Sequence, residues 1–322
     1  MPTEIVTRDG ERFEFRPFEL PPLEPDSVRI RVEFASPKHG TESHLVTGSA
    51  FDTKRWDGEL RMFLPREPGD APSRPPEHRV GNMVVGVVTE TGPAVSRFRA
   101  GDRVFTYGPV REAHQAPEAR VRPLQGLTPA DAVCTDPAHV AFVAVRDGNI
   151  RVGDDVAVFG LGAIGLLAVQ IARVGGARRV FAVDPLEVRR AAALRTGAAS
   201  ALDPVACDAA LEIKRATGGA GVDVSIETSG NGRALHESIR CLRQCGTVVH
   251  VPWGPKDAAE LRLDEEFHLN RPTIIGSQAV WDNPDRSHPL WTEERARQAA
   301  IDLFADGLIA GEPIVTPIVP FG

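Results

Sequence analysis

The chain has 322 residues, a formal net charge of −7 and 42% hydrophobic residues. That length exceeds what one hydrophobic core usually serves, so two domains are expected. The mild acidic balance excludes the basic face that a nucleic-acid partner needs, and no run of about 18 apolar residues suits a membrane span.

Met1 to Arg12 is polar and charged, without the apolar centre of a signal peptide. Cys134, Cys207, Cys241 and Cys245 follow neither a disulfide nor a zinc-ribbon spacing, so they read as reduced thiols of a cytoplasmic protein. From the N-terminus, Val28, Ile30, Val32 and Phe34 alternate with charged residues as a half-buried strand does. Residues 49–80 are rich in proline and balanced in charge. They suit a long surface loop or, as long loops are often functional, a flap over a substrate cleft. Val84–Val88 is a second strand, closed by Thr91-Gly92-Pro93, and Gly101-Asp102 turns into a third at Val104-Phe105. This half predicts an all-β module of short strands.

Near residue 150 the rhythm changes to apolar strands alternating with helix-length segments. Strands are predicted at 155–159, 179–183, 200–202, 222–226, 247–251 and 273–276, with helices at 163–174, 186–196, 208–216 and 233–243 between the first five. Such alternation implies right-handed crossovers and a parallel sheet covered on both faces. The first strand-to-helix turn reads Gly160-Leu161-Gly162-Ala163-Ile164-Gly165. In this G-x-G-x-x-G run Gly160 makes the tight turn, Gly162 lets a pyrophosphate approach the backbone, and Gly165 lets the helix pack on the strand. The helix N-terminus adds free N–H groups, so Ala163 and Ile164 join the glycines as candidate cofactor contacts. Asp184 closes the second strand nineteen residues after Gly165. A carboxylate there accepts both ribose hydroxyls of NAD and repels the 2′-phosphate of NADP. Arg189, on the following helix, is placed with the cofactor residues, and NAD is the expected cofactor.

Together, Gly160–Gly165, Ala182-Val183-Asp184, Asp223–Gly230 and Gly246–Val251 resemble the cofactor domain of the medium-chain dehydrogenase/reductases. Glu33–Ser36, Gly86-Val87-Val88 and Phe98–Val104 resemble that family's N-terminal module, so the likeness runs over nearly the whole chain. It implies a GroES-like β catalytic domain over 1–145, completed by 281–322, and a Rossmann NAD-binding domain over 146–280. It also implies a small-molecule substrate and a homodimer or homotetramer, with no nucleic-acid or membrane partner. The chain stops at Phe321-Gly322, before the last helix and strand common in the family, which leaves a short protein or a truncated chain as the alternatives.

Zinc members of the family carry a Cys-Gly-Thr-Asp-x-His stretch. Here the matching run is His39-Gly40-Thr41-Glu42-Ser43-His44, and the family's Gly-His-Glu segment is Gly81-Asn82-Met83. The third ligand position falls on Asp136. A catalytic zinc needs three good protein ligands and an open position, and Asn82 and Met83 are poor partners for it. No cysteine lies between Val104 and Val133, so the lobe that holds a structural zinc is missing too. The resemblance therefore points to a member without zinc.

What the family then implies is a proton path. The Thr41 hydroxyl contacts the substrate oxygen, and the proton passes by way of the cofactor ribose to His44 and solvent. A histidine with a pKa near 6.5 suits that task. Lys38 and His39 are the nearest groups to steady an alkoxide. Taken alone, Thr41 also suits a helix cap, His44 a surface turn and Lys38 a solvated lysine. His114 and His139 have no evident partner and read as structural or exposed. Three functions follow: an NAD-dependent dehydrogenase of a secondary alcohol, polyol, cyclitol or amino alcohol; a zinc-free NADPH-dependent reductase of activated double bonds or carbonyls; or a non-catalytic NAD-binding sensor.

Overall fold

The computed structural model describes residues 1–42, 44–70, 77–254, 258–279 and 291–321; the side chains of His39, Thr41, Leu45 and Thr47 lie outside that description. The chain forms two compact units, Met1–Val133 with Val319–Gly322, and Cys134–Ile318. This division falls earlier than residue 145, and most of the segment after 281 groups with the second unit.

In the first unit the strands are β1 (Thr3–Thr7), β2 (Glu14–Pro17) and β3 (Ser27–Ser36), followed by two single helical turns, α1 (His39–Glu42) and α2 (His44–Thr47). Then come β4 (Lys54–Asp57), β5 (Met62–Pro65), β6 (His78–Arg79), β7 (Met83–Thr91), β8 (Arg103–Tyr107), β9 (Ala113–Pro117) and β10 (Arg122–Pro123). A five-stranded antiparallel sheet runs β10-β8-β7-β3-β9, and a three-stranded one β2-β1-β6. The alternation read along β3 is real: Val28 and Ile30 are buried with Val88, Val104, Ala116 and Val121. Residues 49–80 are not one long loop. They contain the antiparallel hairpin β4-β5, in which Trp56 faces Phe63. Their rings meet edge-on at 5.2 Å, and Phe51 adds a second edge contact to Phe63 at 5.1 Å. Such cross-strand aromatic pairs stabilise a short hairpin, and Asp57 Oδ1 fixes its turn by accepting from the amides of Glu59 and Leu60.

The helix α3 (Pro129–Asp147) also lies in the half read as all-β. Its start is a capping box: Asp131 N donates to Thr128 Oγ1 at 3.2 Å, and Thr128 N donates to Asp131 Oδ2 at 3.0 Å. Pro129 occupies the first helical position, where no N–H is needed.

The second unit continues β11 (Asp155–Phe159), α4 (Ala163–Val174), β12 (Arg179–Val183), α5 (Glu187–Arg195), β13 (Ser200–Leu202), α6 (Ala209–Ala216) and β14 (Val222–Glu227). It ends with α7 (Gly232–Arg240), β15 (Leu242–His250), α8 (Glu266–Asn270), β16 (Thr273–Gly276) and α9 (Glu293–Ala305). The six strands form one parallel sheet in the order β13-β12-β11-β14-β15-β16. The expected helix over 233–243 ends at Arg240, because Leu242 already pairs with Val222 beside a bulge in the β14–β15 ladder. Phe159, Phe181, Ile213, Ile239 and Leu242 form the core on one side. Each such buried side chain contributes about 1.5–3 kcal/mol relative to exposure. Buried Gln170 of α4 exchanges two hydrogen bonds with Ala310 beyond α9: Nε2 donates to the Ala310 carbonyl at 3.1 Å, and Ala310 N donates to Oε1 at 2.8 Å. Strand order reverses between β11 and β14, and at such a switch point the carboxyl ends of the strands open a crevice.

Candidate active site

The glycine-rich turn sits at that crevice. Gly160 leaves β11 with φ +84°, and a Cβ on it would lie 2.7 Å from the amide of Ser229. A Cβ on Gly165 would lie 1.9 Å from the Gly160 carbonyl, so α4 packs there only without a side chain. Gly162 differs: a Cβ would meet nothing within 4 Å. Gly162 is the N-cap of α4 and supplies no side-chain bond. The first intrahelical bond runs from Leu166 N to Gly162 O at 2.9 Å, leaving the amides of Ala163, Ile164 and Gly165 at the mouth of the helix. Open space over uncapped amides fits the pyrophosphate of a dinucleotide.

Asp184 follows β12 and is buried, 3% exposed. Its Oδ2 accepts from Leu161 N at 2.7 Å, and its Oδ1 accepts from Leu186 N at 2.8 Å. Arg189 Nη1 stands 3.5 Å from Oδ2, and Arg190 Nη1 donates to the Asp184 carbonyl at 2.8 Å. The structure thus brings Gly160, Gly162, Ala163, Ile164, Gly165, Asp184 and Arg189 to one edge of the sheet.

Sequence reasoning assigned no role to three further residues at this edge. Thr228 Oγ1 donates to the Gly160 carbonyl at 2.8 Å, and Thr228 N donates to Phe159 O at 2.8 Å, tying the turn after β14 to the glycine-rich turn. Glu227, fully buried, accepts through Oε1 from Ser229 N at 2.6 Å and Gly230 N at 2.8 Å. His250 ends the neighbouring strand, with Nδ1 3.0 Å from Glu227 Oε2. A carboxylate at the end of a parallel strand was the available signal, but only the register brings His250 to it.

In the first unit, α1 carries His39 and Thr41, whose side chains lie outside the described residues, and α2 begins with half-buried His44. Lys38 is also half-buried, and its carbonyl accepts from Glu42 N at 2.9 Å. Glu42 Oε1 accepts from the amide of Gly81 at 2.6 Å, drawing α1 to the Gly81-Asn82-Met83 segment. Asn82 holds backbone there, its N donating to Ser36 O at 2.9 Å and its carbonyl accepting from Gly108 N at 3.0 Å. Met83 is 2% exposed and pairs within β7 with Ser36 and Tyr107. His114 is buried rather than exposed, and Nδ1 accepts from Arg111 Nε at 3.1 Å. Burial, and then the charge of Arg111, push its pKa down to about 4. In the second unit, Asp136 and His139 are buried on α3. Among the described residues no helix is long and apolar enough to cross a membrane.

Residues 24–122 match the alcohol dehydrogenase GroES-like domain, and residues 163–286 match the zinc-binding dehydrogenase domain. D-guloside 3-dehydrogenase of Escherichia coli (strain K12) is 40% identical over 303 residues, covering 92% of this chain and 86% of that protein. The chain belongs to the medium-chain dehydrogenase/reductase superfamily. It is an alcohol dehydrogenase-like oxidoreductase, a GroES-like module with a Rossmann sheet. The fold is shared with 2R,3R-butanediol dehydrogenase of Bacillus subtilis, at a TM-score of 0.74, 23% identity and coverage of 98% of this chain and 91% of that one. A zinc-binding dehydrogenase fold from Sinorhizobium meliloti 1021, bound to NADP, aligns at a TM-score of 0.70 and 22% identity, covering 96% of this chain and 90% of that one.

At two of the positions that match the superfamily's zinc motif, Asn82 and Met83, the donors are poor. Met83 is committed to the core of β7, and its thioether is a soft, weak ligand. The Asn82 side chain offers at most a neutral amide oxygen. Among the described residues, the group able to gather three ligand atoms is His236, Glu265 and Glu266, around α7 and α8. There Arg240 Nε already stands 3.5 Å from Glu266 Oε1.

Proposed function

We propose that this oxidoreductase uses NAD to oxidise a secondary hydroxyl of a sugar, glycoside or related polyol to the ketone, without catalytic zinc. The single observation that carries the cofactor reading is Asp184. Its carboxylate is fixed between two amides at the end of β12, beside the uncapped α4 N-terminus. A 2′-phosphate would bring a second negative charge against it. Arg189, 3.5 Å from that carboxylate, supports NADP as the second reading, since a guanidinium is a good phosphate partner. The buried Asp184 occupies the strand end itself, which favours NAD.

The substrate class is supported by the likeness to D-guloside 3-dehydrogenase. NAD, when bound, accepts the hydride; the substrate hydroxyl loses its proton in the same oxidation. The Thr41 hydroxyl accepts that proton from the substrate oxygen as it gives up its own, which half-buried His44 takes up and releases to solvent. Lys38 and His39 steady the alkoxide in place of a metal.

The test is a turnover screen of the full chain with NAD and with NADP, against hexosides, polyols and simple secondary alcohols, read by nicotinamide absorbance. Reduction of NAD by a hexoside or polyol, with the ketone recovered in equal amount, is the expected result. Turnover confined to NADPH and an activated double bond would overturn it.

A further inference from the structure

The geometry points to His250 as a positioning residue for the dinucleotide crevice, acting through Glu227 on the turn that buttresses the glycine-rich loop. This rests on the reading that the crevice binds NAD(H).

The argument follows the contacts outward from the sheet. Glu227 is 0% exposed, and a buried carboxylate is tolerated only when its oxygens are matched. Oε1 is matched three times, by Ser229 N, Gly230 N and Ser229 Oγ, at 2.6, 2.8 and 2.5 Å. These bonds fold the chain back immediately after β14. Among the described residues, Oε2 and His250 Nδ1 each have no other hydrogen-bond partner, and they face one another at 3.0 Å. The imidazole is thus the group placed to hold the second oxygen.

The backbone reinforces the pairing. Glu227 and His250 are in register on adjacent parallel strands, and Val251 N donates to Glu227 O at 3.0 Å. The folded turn then presses on the cofactor loop. Ser229 N lies 2.7 Å from where a Gly160 Cβ would be, and Thr228 bonds the Gly160 and Phe159 carbonyls. His250, Glu227, the 228–230 turn and Gly160 form one connected path to the loop over which the pyrophosphate would lie. The imidazole itself is 23% exposed and needs no contact with the cofactor. Removing it leaves Oε2 buried without a donor, and a carboxylate so placed relaxes by turning away from Ser229 and Gly230 or by drawing in water.

Calorimetric binding of NADH to the full-length chain tests this. His250→Leu is expected to weaken NADH by about tenfold, the scale of one lost buried hydrogen bond. In turnover, the loss falls on KM for NAD more than on kcat. His250→Asn, whose Nδ2 stands as many bonds from the backbone as Nδ1 and so presents an N–H to Oε2, restores wild-type affinity to within about twofold. His250→Ala also removes the donor and is expected to match the leucine variant, so it carries the comparison if the leucine variant does not fold. A folded leucine or alanine variant with wild-type affinity overturns the inference, and so does an asparagine variant as weak as leucine. A wild-type chain that binds no NADH overturns the cofactor reading and this inference with it.

Discussion

The amide of Leu161 donates to Oδ2 of Asp184 at 2.7 Å, so one carboxylate fastens the glycine-rich turn to the end of β12. Asp184 therefore holds the loop, and in the proposed NAD complex it would also face the ribose. Asp184→Ala is expected to lose roughly 1–3 kcal/mol of NAD binding and to narrow the gap between NAD and NADP. Both affinities, measured on wild type and variant, check this. Tighter binding of NADPH than NADH by the wild type would sink the claim.

Gly162 and Gly165 differ in what a side chain would meet, and so should their alanine variants. At Gly165 the new Cβ falls 1.9 Å from the Gly160 carbonyl. Overpacking of this kind costs about 1–3 kcal/mol or more, so Gly165→Ala is expected to lower the unfolding midpoint. At Gly162 the protein has room, so Gly162→Ala keeps its thermal stability while the methyl stands where the pyrophosphate would sit. Calorimetry and thermal unfolding on both variants separate the two effects; equal losses of stability would contradict the assignment.

For the proton path, Thr41→Val removes the hydroxyl with little change in volume and is expected to lower turnover by on the order of 100-fold or more, with NAD affinity nearly kept. His44→Ala loses less, because water and buffer replace a terminal carrier, and added imidazole restores part of the loss. The neutral limb of the pH–rate profile flattens in that variant. Wild-type turnover by Thr41→Val on the true substrate would shift attention to Lys38 and His39.

Zinc is expected to be absent at stoichiometric level from protein purified without added metal. Elemental analysis decides this. About one zinc per chain, lost on His39→Ala, would show that Asn82 and Met83 do not prevent a site.

His114 gives a pH signature in stability. Its folded pKa, about 4, lies below the ordinary 6.5, so between these values the unfolded chain binds a proton that the folded chain does not. Stability then falls as pH drops through that window, by on the order of 3 kcal/mol. Protonation would also replace the lone pair that accepts from Arg111 with an N–H facing the guanidinium. Urea unfolding of wild type and His114→Gln between pH 7 and pH 4 measures the slope, which the variant is expected to flatten.

Much of the second unit was legible because its signals are local. Apolar strands alternate with helices, and the motif from Gly160 to Gly165 needs only its own spacing to be recognised. The helix α3 was missed although Thr128-Pro129-Ala130-Asp131 spells its capping box, because the short strands before it set the expected rhythm. The β4-β5 hairpin hid inside a proline-rich stretch, since the pairing of Trp56 with Phe63 belongs to the folded chain. The early start of β15 depends on the ladder bulge at Val222/Val224, and the meeting of Glu227 with His250 depends on register. The sequence marks Asn82 and Met83 as unlike zinc ligands, but their work in holding Ser36 and Gly108 needed coordinates.

The exchange between Gln170 and Ala310 spans 140 residues of sequence. During synthesis, β11 to β16 are all made before Ala310 emerges. Until then the amide of Gln170, destined for burial, lacks its match, and leaving such a group unsatisfied costs on the order of 1–3 kcal/mol. A chain cut before residue 310 is therefore expected to hold α4 less firmly, which limited proteolysis of that truncation would show.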